Sequence, residues 1–265
     1  MFAFTIFVTY LGAGAALLTR LSDAAERDAP RNALLWLLVV AIALHGGVIT
    51  NQVLLNPAHG LDLIDVLSVI SWLLAAIGLF AAMQPGFRAL AGTVFIVSAA
   101  LLLIDLFLTT HSSEPLSWQI KLHAVLSLVA YSFLAAGALL AVVSLVQDRQ
   151  LRAARVTRLS SLLPPLLATE KFLATLTTSG FVFLLLSVTS GFIFVENLLS
   201  QNLTHKTILS LIALVIFGAL VIGRRAVGWR GKRMMQLYLA GFAVLVLAYF
   251  GSKFVLEVLL NRQWG

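Results

Sequence analysis

Two histidines stand at matching places in the chain. His123 lies in KLHAVLSLVAY (121–131) and His205 in HKTILSLIAL (205–214), each ahead of a Leu-Ser-Leu step and each opening a long apolar run. A neutral imidazole offers one nitrogen lone pair to a transition metal. Two imidazoles at one depth on two helices suit a haem iron held from both faces. Lys206, Lys121 and Lys253 supply ammonium groups suited to haem propionates through charge-assisted hydrogen bonds. His123 and His205 are therefore candidate axial ligands to the iron of a b-type haem, with Lys206 as a propionate partner. The plainer reading of the same residues is interfacial side chains whose tips reach lipid headgroups.

His45 is a different case. It sits within an apolar run, in ALHGGVITNQ, where Gly46 and Gly47 allow another helix or a flat ligand to approach closely. A polar side chain at that depth is costly and marks a functional candidate. It is either a deeper ligand or a neutral imidazole bonded to a backbone carbonyl. Asp105 lies near the end of another apolar run, with Lys253 or a histidine as its cheapest partner. Glu196 closes SGFIFVEN, and Glu257 follows Lys253 by four residues, a spacing that lets the two neutralise each other on one helix face.

The elements that must position these groups are membrane helices. The 265 residues are 60% hydrophobic and 11% charged, against roughly 25% charged in a soluble domain, and the mean hydropathy is +1.00. A crossing takes about 20 mostly apolar residues. Eight segments qualify, at 2–19, 33–55, 62–83, 89–110, 119–147, 172–197, 206–223 and 235–260. The first lacks a basic leading region and reads as a retained helix. No long polar stretch could build a second domain, so residues 1–265 read as one integral membrane domain, with a four-helix half at 1–110 and a second half at 115–260.

Charge sets the direction. Of the 18 basic residues, all but Lys121, Lys206, Lys253 and Arg262 fall in the odd-numbered connections. The positive-inside rule then puts those connections in the cytoplasm and both termini outside. This also accounts for a pI near 10.3 without nucleic acid as a partner. His59, His111, His123 and His205 all fall on the outer side, and so do Asp62, Asp65, Asp105, Glu114, Glu196 and Glu257. In the fifth connection Arg149, Arg152, Arg155 and Arg158 recur every three residues, which predicts a short amphipathic helix at the interface. Pro164 and Pro165 end it.

Chemistry beyond this is sparse. No cysteine is present, which excludes disulfides, thiolate metal sites and covalent c-type haem attachment in this chain. No hydrolase elbow, zinc-protease motif or Walker lysine occurs, so a non-enzymatic protein is expected.

An ordered set of motifs runs through the second half: LHAVLSLVAYSFLAAGALLAV (122–142), LPPLLATEK (163–171), SGFIFVEN (190–197), HKTILSL (205–211), GWRGKR (228–233) and GFAVLVLAYFGSKFVLEV (241–258). Over residues 115–260 it resembles the CcsA-type cytochrome c assembly family, in its shorter YpjD-like branch of bacterial inner-membrane proteins. The resemblance implies haem handling at the outer face, with His123 at the position of an external histidine and His45 as a candidate for the intramembrane one. The family's tryptophan-rich outer segment is missing, because the corresponding loop reads NLLSQNLTHKT. The second external histidine is missing from FGSKFVLEVLL as well. The combined expectation is a haem-binding accessory protein of cytochrome c assembly in the inner membrane, with biogenesis proteins as partners. The alternative is a non-enzymatic subunit or regulator of a membrane transporter, drawing on the outer cluster of Asp62, Asp65, Asp105 and Glu196. A third is an ion or proton carrier using Asp105 and His45.

Overall fold

The computed structural model describes residues 2–19, 28–51, 63–84, 86–107, 116–153, 166–194 and 204–248. Among these the chain is all-helical, with eight α-helices: α1 (Phe2–Thr19), α2 (Asp28–Ile49), α3 (Leu63–Met83), α4 (Arg88–Phe107), α5 (Trp118–Arg152), α6 (Leu166–Phe194), α7 (Thr204–Ile222) and α8 (Lys232–Val246). A π-helical turn, Gly223–Val227, continues α7. Helices are the natural outcome of such runs in lipid, because each satisfies its backbone N–H and C=O groups within itself. Among the described residues five apolar stretches are long enough to cross a membrane: Asn32–Ile49, Asp65–Met83, Trp118–Gln150, Leu166–Phe194 and Lys206–Val227. The helices at Ala3–Thr19 and Arg88–Ile104 are apolar but shorter. Large apolar side chains such as Trp36, Ile193 and Val215 point outward, each about two-thirds exposed or more (69%, 68% and 71%). Acyl chains satisfy such a surface, whereas water would not.

Several boundaries differ from the sequence expectation, as with α2 at Asp28–Ile49 against 33–55. Helix α5 runs through Arg152 instead of ending at 147, so Arg149 and Arg152 belong to its last turn and not to a separate interfacial helix. Residues 154–165, with Arg155 and Arg158, lie outside the described residues. Helix α6 starts at Leu166 rather than 172 and takes in Thr169 and Glu170, both of which are buried. Hydropathy alone ended that span at its charged residues, yet Glu170 is held by accepting the Gly231 backbone N–H at 3.3 Å.

The chain divides into two compact units. The first comprises residues 1–121 with 149–168. Within it α4 packs on α1 and α3, and α2 packs on α3 and α1. Its core is Ile6, Tyr10 and Ala13 of α1, Leu38 and Ala41 of α2, Ala75 of α3, and Phe95, Ala99 and Leu102 of α4. Small residues set the spacing. A Cβ on Gly14 would stand 2.9 Å from the Gly92 carbonyl oxygen, and one on Gly92 would stand 3.0 Å from that of Gly14. Close backbone approach of this kind is how helices associate where lipid removes the hydrophobic drive between them.

The second unit comprises residues 122–148 with 169–265. Phe133 of α5 stacks on Phe183 of α6 at 5.8 Å. Phe217 of α7 meets Tyr238 of α8 edge to face at 5.2 Å. The Tyr238 hydroxyl, fully buried, donates to the Leu134 carbonyl of α5 at 3.0 Å. Gly137 is what lets it in, since a Cβ there would collide with the Tyr238 hydroxyl. Gly137→Ala is therefore expected to cost about 1–3 kcal/mol, the usual range for overpacking. The measurement is thermal unfolding of the detergent-solubilised protein. Tyr238→Phe should relieve part of the loss in the double variant, and an unchanged midpoint in Gly137→Ala alone would contradict this packing.

Candidate functional site

The site is built from α5 and α6 of the second unit. Helix α5 carries His123 and, one turn on, Ser127; α6 carries Ser187, Ser190 and Gly191. His123 Nδ1 lies 2.9 Å from the Ser187 carbonyl oxygen and 3.1 Å from Ser190 Oγ. A carbonyl oxygen only accepts, so Nδ1 carries the proton. The Ser190 hydroxyl donates to the same carbonyl at 2.7 Å, which leaves its oxygen free to accept from Nδ1–H. Ser127 donates to the His123 carbonyl at 2.8 Å. The Ser187 hydroxyl, 2.6 Å from Ser127 Oγ, therefore donates to Ser127. Each hydroxyl proton and the imidazole proton then has one assigned acceptor set, and the ring orientation and tautomer are fixed together.

One consequence concerns Nε2. With the proton on Nδ1, Nε2 holds a lone pair, and it has no hydrogen-bond partner among the described residues. The ring is half-buried. The imidazole packs directly on Gly191, where a Cβ would stand 3.1 Å from His123 Cε1. Histidine ligands to metals typically have one nitrogen bonded to a carbonyl and the other presented to the metal. His123 meets that requirement, and with it the demand of a haem iron for an imidazole lone pair.

His45 is held differently, within the first unit. It is 2% exposed. Nδ1 lies 3.3 Å from the Tyr10 hydroxyl of α1, and Nε2 lies 3.1 Å from Ser68 Oγ of α3. The flat group that Gly46 admits is the Trp72 indole, 2.9 Å from where a Cβ would stand. Trp72 in turn donates to the Ile42 carbonyl at 2.9 Å. With both ring nitrogens engaged and an indole against the neighbouring glycine, this arrangement has no lone pair and no room for an iron. It ties α1, α2 and α3 together.

The remaining candidates are placed by backbone alone or not at all. His205 lies in the first turn of α7, and Asp105 lies in the last turn of α4. Lys206 is half-buried on α7. Glu196, Lys253 and Glu257 lie outside the described residues, as do His59 and His111. Among the described residues no three His, Asp or Glu side chains gather as a metal cluster. Sequence reasoning passed over Ser187 and Gly191. Their signal was present in the polar and small residues at 187, 190 and 191, spaced at i, i+3 and i+4 along an otherwise apolar helix.

Comparison with known proteins agrees with this architecture. Residues 60–260 match the family model described as cytochrome C assembly protein. The chain is 28% identical over 229 residues to the inner membrane protein YpjD of Escherichia coli strain K12, an alignment covering 83% of this chain and 85% of that protein. It is 31% identical over 144 residues to an uncharacterized 28.8 kDa protein of Azospirillum brasilense encoded in the nifR3-like 5' region, covering 54% of this chain and 53% of that protein. The matched region takes in α3 to α8 and with them the whole His123 network. The chain is thus a multi-pass inner-membrane protein and belongs to the cytochrome c assembly protein family.

Proposed function

We propose that this protein is a non-enzymatic, haem-binding accessory factor of cytochrome c assembly. The observation that carries the reading is the His123 imidazole, its Nδ1–H committed to Ser187 and its Nε2 lone pair unclaimed among the described residues. Family membership supplies the context of haem handling. In this reading all eight helices cross the membrane, the basic connections lie in the cytoplasm and both termini lie outside. His123 then stands near the outer face, at the start of the inward-running α5.

His123 and His205 would hold a b-type haem, and Lys206 would bind a propionate. The bound haem would supply a redox-active iron. What the chain itself contributes is the tautomer lock on His123 and the Gly191 backbone on which its ring packs. His45 has a packing role in the first unit. The missing tryptophan-rich segment removes a platform for presenting haem to a partner, which favours binding or storage over attachment to an apocytochrome.

The test is the absorption spectrum of protein purified in detergent from haem-replete cells, oxidised and dithionite-reduced. A Soret band with sharp reduced α and β bands is expected, and it should weaken strongly in His123→Ala. His45→Ala should keep the spectrum and instead lose about 1–3 kcal/mol of stability, from buried hydroxyls left without a partner. A His123→Ala spectrum identical to wild type would overturn the ligand assignment. No Soret band even after haem is added back would favour the subunit or regulator of a membrane transporter.

A further inference from the structure

A second site lies at the basic end of the second unit, far along α5 and α6 from His123. Here α6, the end of α7, the π-helical turn and α8 border an open-mouthed cavity of about 420 Å³, with Arg225 and Thr175 exposed at its edge. That volume falls within the range of small-molecule sites, roughly 300–1,000 Å³. Its polar wall is unusual for a membrane protein. Arg224 and Arg225 face it from the π-helical turn, and Thr175, Thr178 and Ser179 face it from one side of α6. Ala174, Leu220, Val221 and Met234 supply the apolar part of the lining.

The turn that presents the arginines is built for position. Gly228 has φ +71°, a left-handed conformation that favours glycine, and the Trp229 N–H returns to the Gly223 carbonyl at 3.1 Å. The Trp229 ring packs on Gly223, where a Cβ would reach it at 2.5 Å. Glu170 anchors the far side through the Gly231 N–H. Arg224 is partly compensated, by the nearby Glu170 carboxylate and by a 3.9 Å contact with Met234 Sδ. Arg225, Thr178 and Ser179 have no side-chain partner among the described residues. By contrast Thr175 and Thr177 use their hydroxyls on the Lys171 and Leu173 carbonyls of their own helix.

Topology requires basic residues at this end of α7, but it requires neither a cavity nor hydroxyl-bearing residues lining it together with the cations. Guanidinium forks and hydroxyl donors converging on one space match the oxygens of a phosphate group. Basic pockets between membrane helices on the cytoplasmic side bind the head groups of anionic lipids in just this way. We infer that the cavity lined by Arg224, Arg225, Thr178 and Ser179 binds a phosphate group, carried by an anionic phospholipid or by a free phosphate. The site is independent of haem. Only its assignment to the cytoplasmic leaflet rests on the orientation proposed above.

The experiment is a binding titration on the full-length protein in a zwitterionic detergent, by thermophoresis and thermal shift. The probes are short-chain phosphatidylglycerol, short-chain phosphatidylcholine and inorganic phosphate. Phosphatidylglycerol should bind saturably and raise the unfolding temperature, and phosphatidylcholine should do neither. Arg225→Gln should weaken binding about tenfold, as loss of one charge-assisted contact implies. Thr178→Val should weaken it less, and neither variant touches the Glu170 anchor. Competition by inorganic phosphate, with the same sensitivity to Arg225→Gln, would make free phosphate the ligand; its absence would make the lipid the ligand. Binding unchanged in both variants, or no saturable binding of either phosphate probe, would overturn the proposal.

Discussion

A proton on His123 Nδ1 has a carbonyl 2.9 Å away that can only accept it. That constraint fixes the tautomer, because a carbonyl oxygen can only accept. The serines around it then fall into a single consistent order: Ser190 to the Ser187 carbonyl, Ser187 to Ser127, Ser127 to the His123 carbonyl. The order ties α5 to α6 through side chains at one end, while the Phe133–Phe183 stack and the Gly180–Leu134 contact hold the same two helices further along. What remains after every donor has been assigned is one lone pair, on Nε2.

His45 and His123 show how the same side chain is used in opposite ways. His45 has both nitrogens occupied, by the Tyr10 and Ser68 hydroxyls, and works as a knot among three helices. His123 has one nitrogen tied and the other presented. Burial follows the same division: His45 is enclosed, whereas His123 is half-exposed beside a glycine. A polar group sealed in a membrane protein is tolerable when its bonds are satisfied, as those of His45 are.

Much of the fold was legible in the sequence because the signals were coarse and strong. Apolar runs separated by basic connections gave helices close to those observed, as with 2–19 against Phe2–Thr19 and 62–83 against Leu63–Met83. The misses share one physical cause. Glu170 and Lys171 broke the hydropathy of a segment that is nonetheless helical, since Glu170 finds its partner in Gly231, 61 residues away. Gly46 was rightly read as a place of close approach, but the approaching group is Trp72 of the next helix. Which side chain meets which depends on helix rotation, and in lipid, where every face is apolar, periodicity carries little information about it. The serines that lock His123 lay in plain view at helical spacing, yet their role needed the partner helix.

His123 is held as the Nδ1–H tautomer, with its Nε2 lone pair unclaimed among the described residues. Nitrogen NMR of ¹⁵N-histidine-labelled, haem-free protein tests it most directly, with the His123 signals assigned by their loss in His123→Gln. A protonated Nδ1 and an unprotonated Nε2 are expected. A proton found on Nε2, or a ring averaging between tautomers, would contradict it.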